Sequence, residues 1–395
     1  MIYIIFILIA VINCGYFNDT YSCLLLFITA LIAEILVFRA KIVITGFFSK
    51  SFILLFLFGL FYILQIGSSY ALLYWLLPCA VFFAGWCLVD TFETIRVKSL
   101  DVSLSTFILA ISCGCLIHII LNLITNFTSE RWAIIDYFSG TVRAATGAGS
   151  VVTLVVCLCP LIVILKKNYQ KVAIAGICLV ALVYTLLLGS RTSLVVLVVT
   201  FLAVVAFRFH NERRNGWILR LILIVIVISA LILIAFKFDF LGVRTYYENS
   251  NLYDRLYDSS TYASDDERLS RWWEGLKSVF LSPFGGNKDT VRYYHNFWLD
   301  INRVSGVIPM ILMVVYNIRT FRHVLEISKR RGVGSNCVYL MLCVYIGTFI
   351  NFFFEPALEG LTDLYLRFCF INGITEGFYS YLIKREDEGD IYENS

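Results

Sequence analysis

The chain has 395 residues, of which 59% are hydrophobic and only 15% are charged, and its formal net charge is +4. Soluble domains carry about 25% charged residues, and a soluble core could not bury the apolar runs that recur along this whole sequence. Each run is close to the roughly 20 residues that cross a bilayer, so the composition excludes an ordinary soluble protein. The Cys residues lie almost wholly in these runs, which is typical of small buried hydrophobic residues rather than of a disulfide framework.

The apolar runs predict an all-α polytopic membrane protein with about twelve transmembrane helices. The first nine lie within 1–237 and the last three within 296–383. A long polar segment at 238–295 separates the two groups, and a short tail at 384–395 follows the last span. The predicted spans are 2–15, 21–38, 51–67, 70–89, 104–125, 147–165, 172–189, 192–208, 217–237, 296–317, 336–356 and 364–383.

Lys and Arg are distributed unevenly over the connections between the predicted spans. Connections that contain them are expected on the cytoplasmic side, and they alternate with connections such as 16–20, 68–69 and 357–363 that contain none. This alternation predicts cytoplasmic termini and tail, and it places 238–295 on the outer face, which in a bacterium is the periplasm. The basic residues of the predicted cytoplasmic connections are Arg39, Lys41, Lys50, Arg96, Lys98, Lys166, Lys167, Lys171, Arg208, Arg213, Arg214, Arg319, Arg322, Lys329, Arg330, Arg331, Lys384 and Arg385.

Some Arg residues lie on the predicted outer face, where the charge rule disfavours them. A ligand with phosphate groups is the simplest explanation, because the guanidinium fork binds two phosphate oxygens at once. The alternative is that these side chains reach water at the membrane interface or pair with nearby carboxylates such as Asp265 and Glu267. The candidates for binding such a ligand are Arg143 in 126–146, Arg191 in the turn 189–193, and Arg268 and Arg271 in the long polar segment. The other basic residues on this face are Arg131, Arg244, Arg255, Lys277, Lys288 and Arg292.

Within the long polar segment, apolar residues recur at spacings of three and four and predict a helix over 265–281. Ser264 is its predicted N-cap, and Pro283 follows its end. A helix with a Trp-rich apolar face and a charged opposite face is expected to lie flat at the bilayer interface. The apolar residues are Leu269, Trp272, Trp273, Leu276, Val279 and Phe280.

His295 and Glu355 are the candidate catalytic groups. His295 stands where a predicted span begins, and an imidazole in water titrates near neutral pH, which suits a general base. Glu355 ends the eleventh predicted span, and an ionisable group at membrane depth is a functional hypothesis by default. The alternatives are a place for His295 in an interfacial aromatic belt, and a structural pair of Glu355 with an Arg such as Arg367.

Several short motifs follow one another between about 141 and 360. They are Gly189-Ser190-Arg191 at a span end, Arg268-x3-Trp272-x10-Pro283-x2-Gly286, His295-Asn296, Gly306 eleven residues after the His, and the stretch 351–355 that ends in Glu355. Together with the large outer loop between the first two, this set resembles the O-antigen polymerases of the Wzy type, which are related to the O-antigen ligases.

The resemblance implies a membrane glycosyltransferase of GT-C-like architecture in the bacterial inner membrane, with its active site on the periplasmic side. It implies transfer of a growing glycan from undecaprenyl pyrophosphate to an incoming lipid-linked repeat unit, with inversion and without a metal or other cofactor. Arg191 and an outer-loop Arg, Arg268 or Arg271, would bind the pyrophosphate, with Arg143 as a further contact. His295 or Glu355 would act at the acceptor hydroxyl. The implied partners are the lipid-linked oligosaccharide, the lipid bilayer and a chain-length regulator protein, and no nucleic acid.

Two other functions stay open. An O-antigen ligase, which attaches finished glycan to lipid A–core, has similar motifs. A flippase for lipid-linked oligosaccharides belongs to a different class and predicts inverted repeats and charges at the bilayer midplane, whereas the charged clusters of this sequence lie at its predicted outer surface. The predicted cytoplasmic connections contain no phosphate loop and are too short for a nucleotide-sugar domain, so a nucleotide-sugar donor is not expected.

Overall fold

The computed structural model describes residues 2–14, 20–38, 49–94, 100–126, 134–142, 145–212, 234, 236–257, 265–330 and 333–387. Several predicted features lie outside these residues. They are Arg143, Ser264, most of the predicted span 217–237, and the tail beyond 387.

The described part of the chain is helical, and the helices are numbered here in chain order. A π-helical turn, Leu72–Leu76, leads directly into α4. The helices are α1 Ile2–Cys14, α2 Thr20–Phe38, α3 Lys50–Ile66, α4 Leu77–Thr94, α5 Leu100–Thr125, α6 Ala145–Val156, α7 Leu161–Ile164, α8 Asn168–Leu188, α9 Arg191–Glu212, α10 Val243–Glu248, α11 Asn251–Tyr257, α12 Asp265–Leu281, α13 Phe297–Ser305, α14 Val307–Ile327, α15 Ser335–Phe354, α16 Ala357–Gly360 and α17 Thr362–Asp387.

Within the described ranges, 6 helical segments are long and apolar enough to cross a membrane, and α1, α2 and α3 contain shorter apolar stretches. The all-helical prediction is confirmed, and these helices fit a polytopic membrane protein. The number of twelve spans stays a prediction. The 6 segments are Leu72–Glu93, Leu100–Thr125, Gly147–Ile164, Asn168–Leu188, Arg191–Asn211 and Ser335–Phe354.

The predicted span 296–317 is not one continuous helix, because the backbone breaks at Gly306. Gly306 has a φ of 89°, a conformation that side-chain-bearing residues rarely adopt. A Cβ on Gly306 would lie 2.5 Å from the Pro283 carbonyl oxygen, and the Val307 N–H donates to that same oxygen at 2.8 Å. The end of the long polar segment therefore packs directly onto the break, with α13 on one side and α14 on the other.

Helix α17 is buried along most of its length and packs extensively against α4. Two glycines allow this close approach. A Cβ on Gly373 would fall on the Phe82 carbonyl oxygen, and a Cβ on Gly85 would fall on the Phe370 carbonyl oxygen. Small residues at such positions are typical of helix pairs in membranes, where close backbone packing stabilises association.

Gly373→Ala is expected to destabilise the protein by about 1–3 kcal/mol, because the added methyl group must push α17 away from α4. Gly176→Ala is the matched control, since Gly176 also lies within a helix, but none of the described residues outside its own stretch of α8 has an atom within 4 Å of its ideal Cβ position. That substitution is expected to be neutral or stabilising by up to about 1 kcal/mol through helix propensity. Thermal unfolding of the two purified variants in the same detergent tests the difference, and equal melting temperatures would contradict the close α4–α17 contact.

Hydrogen bonds show which helix ends lie together. At one end of the bundle, Lys384 Nζ lies 3.0 Å from Glu93 Oε1, and the Gly334 N–H donates to Asp101 Oδ2 at 3.1 Å. At the other end, Asn296 Nδ2 donates to the Phe353 carbonyl oxygen at 3.3 Å. The first end, named here the basic end, carries Lys50, Arg319, Arg322, Lys329, Lys384 and Arg385.

Candidate functional site

Glu355 lies at the carboxyl end of α15, at the end of the bundle opposite the basic end. Pro356 follows it and cannot continue the helix, so Glu355 takes an extended conformation, with φ −136° and ψ 150°. Its side chain is buried, and its Oε1 accepts a hydrogen bond from Thr192 Oγ1 at 2.7 Å. Within the described residues, its second oxygen, Oε2, makes no hydrogen bond. A buried carboxylate oxygen without a hydrogen-bond donor lowers the stability of the fold, so Glu355 is a candidate for a functional role.

The turn between α8 and α9 places Arg191 and Thr192 beside this carboxylate. Gly189 ends α8 in the left-handed conformation, with φ 65°, which is the usual way for a helix to stop. The Ser190 hydroxyl then accepts the Ser193 N–H at 3.4 Å, and α9 begins at Arg191. The first turn of α9 therefore lies beside Glu355, since Thr192 in that turn donates to its carboxylate.

Helix α12 brings Arg268 to the same carboxylate, with Arg268 Nη2 3.9 Å from Glu355 Oε1. Its small residues face α13: a Cβ on Gly275 would lie 2.9 Å from Leu299 Cδ1, and Ser278 accepts a hydrogen bond from Asn302 Nδ2 at 3.2 Å. The helix has the bounds that the apolar spacing predicts, and it leaves Leu269, Trp273, Leu276 and Phe280 exposed.

His295 is held in a strained backbone conformation that aims it at Glu355. Its φ is 55°, which costs of order 1–3 kcal/mol for a residue other than Gly and is common at functional sites. The Asp300 carboxylate accepts hydrogen bonds from the backbone N–H groups of the two residues that flank His295, Tyr294 at 2.8 Å and Asn296 at 3.2 Å. His295 Nδ1 is buried and makes no hydrogen bond within the described ranges, and it lies 3.9 Å from Glu355 Oε2.

A buried guanidinium group, that of Arg303, supports the segment that leads to His295. It donates to the carbonyl oxygens of Lys288 at 2.9 Å and Val291 at 2.8 Å, and to Glu359 Oε2 at 2.7 Å. It also lies 4.8 Å from the centre of the Tyr293 ring. Burial, followed by the nearby Glu359 carboxylate, raises the pKa of Tyr293 above its ordinary value. This network fixes the 288–293 backbone against α13 and α16.

An open cavity of about 360 Å³ lies beside Glu355, within the range of small-ligand pockets. Its walls carry two guanidinium groups next to aromatic and aliphatic side chains, which suits a ligand with a phosphate group and an apolar part. Two of its lining residues, Thr192 and Arg268, contact Glu355. The lining residues are Arg191, Thr192, Val195, Arg268, Leu269, Trp272 and Phe354.

The structure brings four of the candidate residues into one site: Arg191, Arg268, His295 and Glu355. Arg271 lies on the same helix as Arg268 but does not line the cavity, and its Nη1 donates to the Tyr293 carbonyl oxygen at 3.4 Å.

Arg367 does not pair with Glu355. Its Nη1 instead donates to Asp363 Oδ2 at 2.7 Å on the same helix. Ser150 Oγ donates to that oxygen as well, also at 2.7 Å. The alternative role of Glu355 as a structural partner of Arg367 therefore does not hold, whereas Arg268 lies 3.9 Å from Glu355.

Four supporting residues have roles that the sequence did not predict: Thr192, Asp300, Arg303 and Trp272, which donates to the His295 carbonyl oxygen at 3.3 Å. Thr192 carries no signal that separates it from other polar residues at a span end, and the motif and apolar stripe that include Trp272 give no sign of this hydrogen bond. Arg303 does carry a signal, because an ionisable residue inside a predicted apolar span is itself a sign of a buried partner. No group of three or more His, Cys, Asp or Glu side chains that could hold a metal ion occurs in the described part of the chain.

No protein-family model matches this chain, and no curated protein is significantly similar to it. The likeness to O-antigen polymerases therefore rests on the motifs alone and stays a hypothesis.

Proposed function

We propose that this chain is an O-antigen polymerase, a glycosyltransferase that joins undecaprenyl-pyrophosphate-linked repeat units on the periplasmic face of the bacterial inner membrane. About twelve spans, a GT-C-like architecture and cytoplasmic termini belong to the same proposal. The observation that carries it is a pair of buried atoms, His295 Nδ1 and Glu355 Oε2, that lie 3.9 Å apart and make no hydrogen bond to any described residue. They lie beside a cavity lined by two Arg residues.

The two guanidinium groups suit the leaving group of this reaction. In glycosyl transfer from a polyprenyl pyrophosphate, the bond between the anomeric carbon and the pyrophosphate oxygen breaks, and negative charge grows on the pyrophosphate. Arg191 and Arg268 line the cavity and would stabilise that charge, an electrostatic contribution that is often the largest single one in catalysis. The exposed apolar face of α12 would lie against the bilayer, where the polyprenyl chain of the donor resides.

His295 and Glu355 suit the other half of the reaction. The attacking sugar hydroxyl must lose its proton as its oxygen bonds to the anomeric carbon. A distance of 3.9 Å is too long for a hydrogen bond, but catalytic contacts often tighten when substrate binds. A proton on Nδ1 shared with Glu355 would leave Nε2 of His295 as the acceptor of the hydroxyl proton. One such displacement inverts the anomeric centre.

The gel phenotype of a deletion strain tests the proposal against both alternatives. Loss of a polymerase leaves lipid A–core carrying one repeat unit, whereas loss of a ligase or a flippase leaves bare core. Complementation with Arg191→Gln or Arg268→Gln is expected to restore few or no long chains, because removal of one charge-stabilising donor typically costs 10²–10³-fold in rate, roughly. Lys277→Gln is the control, since Lys277 is exposed on α12 outside the cavity, and it should restore the full ladder. Bare core in the deletion strain, or full ladders from both Arg variants, would contradict the proposal.

A further inference from the structure

A second cavity, of about 760 Å³, lies at the basic end between α3, α14 and α17. It is far from the candidate site. Val307, the first residue of α14, lies at the end of the bundle that holds the candidate site, and Arg322 on the cavity wall lies 15 residues further along α14, or about 22 Å at 1.5 Å per residue. Its polar walls include Lys50, Arg319 and Arg322, and its apolar walls include Ile53 and Ile318.

The three cations of this cavity have no carboxylate within ion-pairing distance in the described part of the chain. Arg319 Nε donates to the neutral Ser51 hydroxyl at 3.0 Å, while Lys50 and Arg322 are exposed. Glu326 on the same wall interacts electrostatically with Arg322 but forms no ion pair with it among the described residues.

Two carboxylates lie close to the cavity. Glu326 on its wall accepts the Tyr379 hydroxyl at 2.5 Å, and Glu376 lies 2.5 Å from His323 Nδ1. The positive charge that Lys50, Arg319 and Arg322 direct at the cavity is therefore not balanced by an ion pair among the described residues.

An apolar strip on α14 leads away from this positive charge. Ile308, Ile311, Val315 and Ile318 are exposed and follow one another at spacings of three, four and three, so they share one face of the helix. Arg322 comes four residues after Ile318 and ends the strip. Ile53 on the neighbouring α3 is exposed as well. An apolar surface that ends at a cluster of cations matches an amphiphile with an apolar tail and an anionic head.

We propose that this cavity binds an anionic phospholipid, with the phosphate between Lys50, Arg319 and Arg322 and one acyl chain along the Ile308–Ile318 strip of α14. Phosphate oxygens suit these donors, because charge-assisted hydrogen bonds from Arg and Lys to phosphate are short and strong. Basic pockets between membrane helices are a known way to hold the heads of acidic lipids. The proposal does not depend on the candidate glycosyltransferase site at the other end of the bundle.

Native mass spectrometry of the full chain, purified in a mild detergent, tests this assignment. The probes are phosphatidylglycerol, phosphatidylcholine and the soluble head group glycerol phosphate. The wild-type chain is expected to retain phosphatidylglycerol in preference to phosphatidylcholine. Lys50→Gln and Arg322→Gln should each weaken that retention roughly fivefold, as expected for one basic residue near an acidic lipid head.

Lys329→Gln is the matched control, because Lys329 is an exposed cation at the same end of the bundle but does not line the cavity. It should bind phosphatidylglycerol as the wild type does. Lys50 and Arg322 are both exposed, so their variants are expected to fold, and an unchanged melting temperature in the absence of added lipid checks this.

Three results would overturn the proposal. Equal retention of phosphatidylglycerol and phosphatidylcholine would show that the cations do not select the head group. Equal retention by the wild type and both cavity variants would show that the bound lipid lies elsewhere. Competition by glycerol phosphate at the same concentration as phosphatidylglycerol would show a site for free phosphate esters, in which the apolar strip plays no part.

Discussion

Glu355→Gln is expected to slow glycan polymerisation about 100-fold or more, the lower range for loss of general acid–base catalysis, while the chain stays folded. The Gln side chain keeps an oxygen that can accept the Thr192 hydroxyl, so the buried contact at 2.7 Å survives. It loses the negative charge that faces His295 Nδ1 and Arg268 Nη2, each 3.9 Å away. The length distribution of the O-antigen ladder in a complemented deletion strain measures the effect.

Glu274→Gln is the control for this experiment, because Glu274 is an exposed carboxylate on α12. It should give the wild-type ladder. The melting temperature of purified Glu355→Gln should match that of the wild type, which separates a chemical role from a structural one. A full ladder from Glu355→Gln, or a short ladder accompanied by a large loss of stability, would contradict the role of this carboxylate in positioning and charging His295 for proton transfer.

Arg303→Met is expected to lower the free energy of unfolding by about 3–5 kcal/mol, the usual cost when one partner of a buried ion pair is removed. Arg303 is 2% exposed, and its loss strands the Glu359 carboxylate as well as the carbonyl oxygens of Lys288 and Val291. Thermal or denaturant unfolding in detergent measures the change. Polymerisation should fall too, since the segment that ends at His295 loses its support.

The double variant Arg303→Met, Glu359→Met checks the physical reason. It removes the carboxylate that Arg303→Met alone would strand at Glu359, so part of the lost stability should return. The return should be incomplete, because the buried Asp300 carboxylate, 3.4 Å from Arg303 Nε, still lacks its ion pair. Arg292→Met is the matched control, because Arg292 lies in the same segment but is exposed, and it should change stability by less than about 0.5 kcal/mol. If Arg303→Met were as stable as Arg292→Met, the buried network would not be what holds this segment.

Local features of the fold could be predicted from the sequence because short-range spacing determines them. The apolar stripe that includes Leu269, Trp272 and Leu276 predicts a helix over 265–281, and α12 has those bounds. The break at Gly306 could not be predicted in the same way. Hydropathy averages over a whole span and is insensitive to one Gly, whereas the contact with the Pro283 carbonyl that requires it comes from a separate segment.

In the candidate site, too, single residues could be predicted from the sequence, whereas their contacts could not. Arg191, His295 and Glu355 could be singled out one by one, from charge on the disfavoured side and from position at a span end. Their meeting point could not, because it depends on which helix ends the tertiary fold brings together. For the same reason the sequence did not separate Arg268 from Arg271, which lies about one turn further along α12. Arg268 reaches Glu355, whereas Arg271 donates to the Tyr293 carbonyl oxygen.

The most direct measurement of the central proposal is a reconstituted reaction. The full chain, purified and placed in lipid vesicles, is supplied with undecaprenyl-pyrophosphate-linked repeat units and no nucleotide sugar. The proposed function predicts a ladder of lipid-linked chains and the release of one undecaprenyl pyrophosphate for each bond formed, with both lost in Arg268→Gln and Glu355→Gln. If the wild-type chain left the repeat units unjoined, or if both variants joined them at the wild-type rate, the site at Glu355 would not be a polymerase active site.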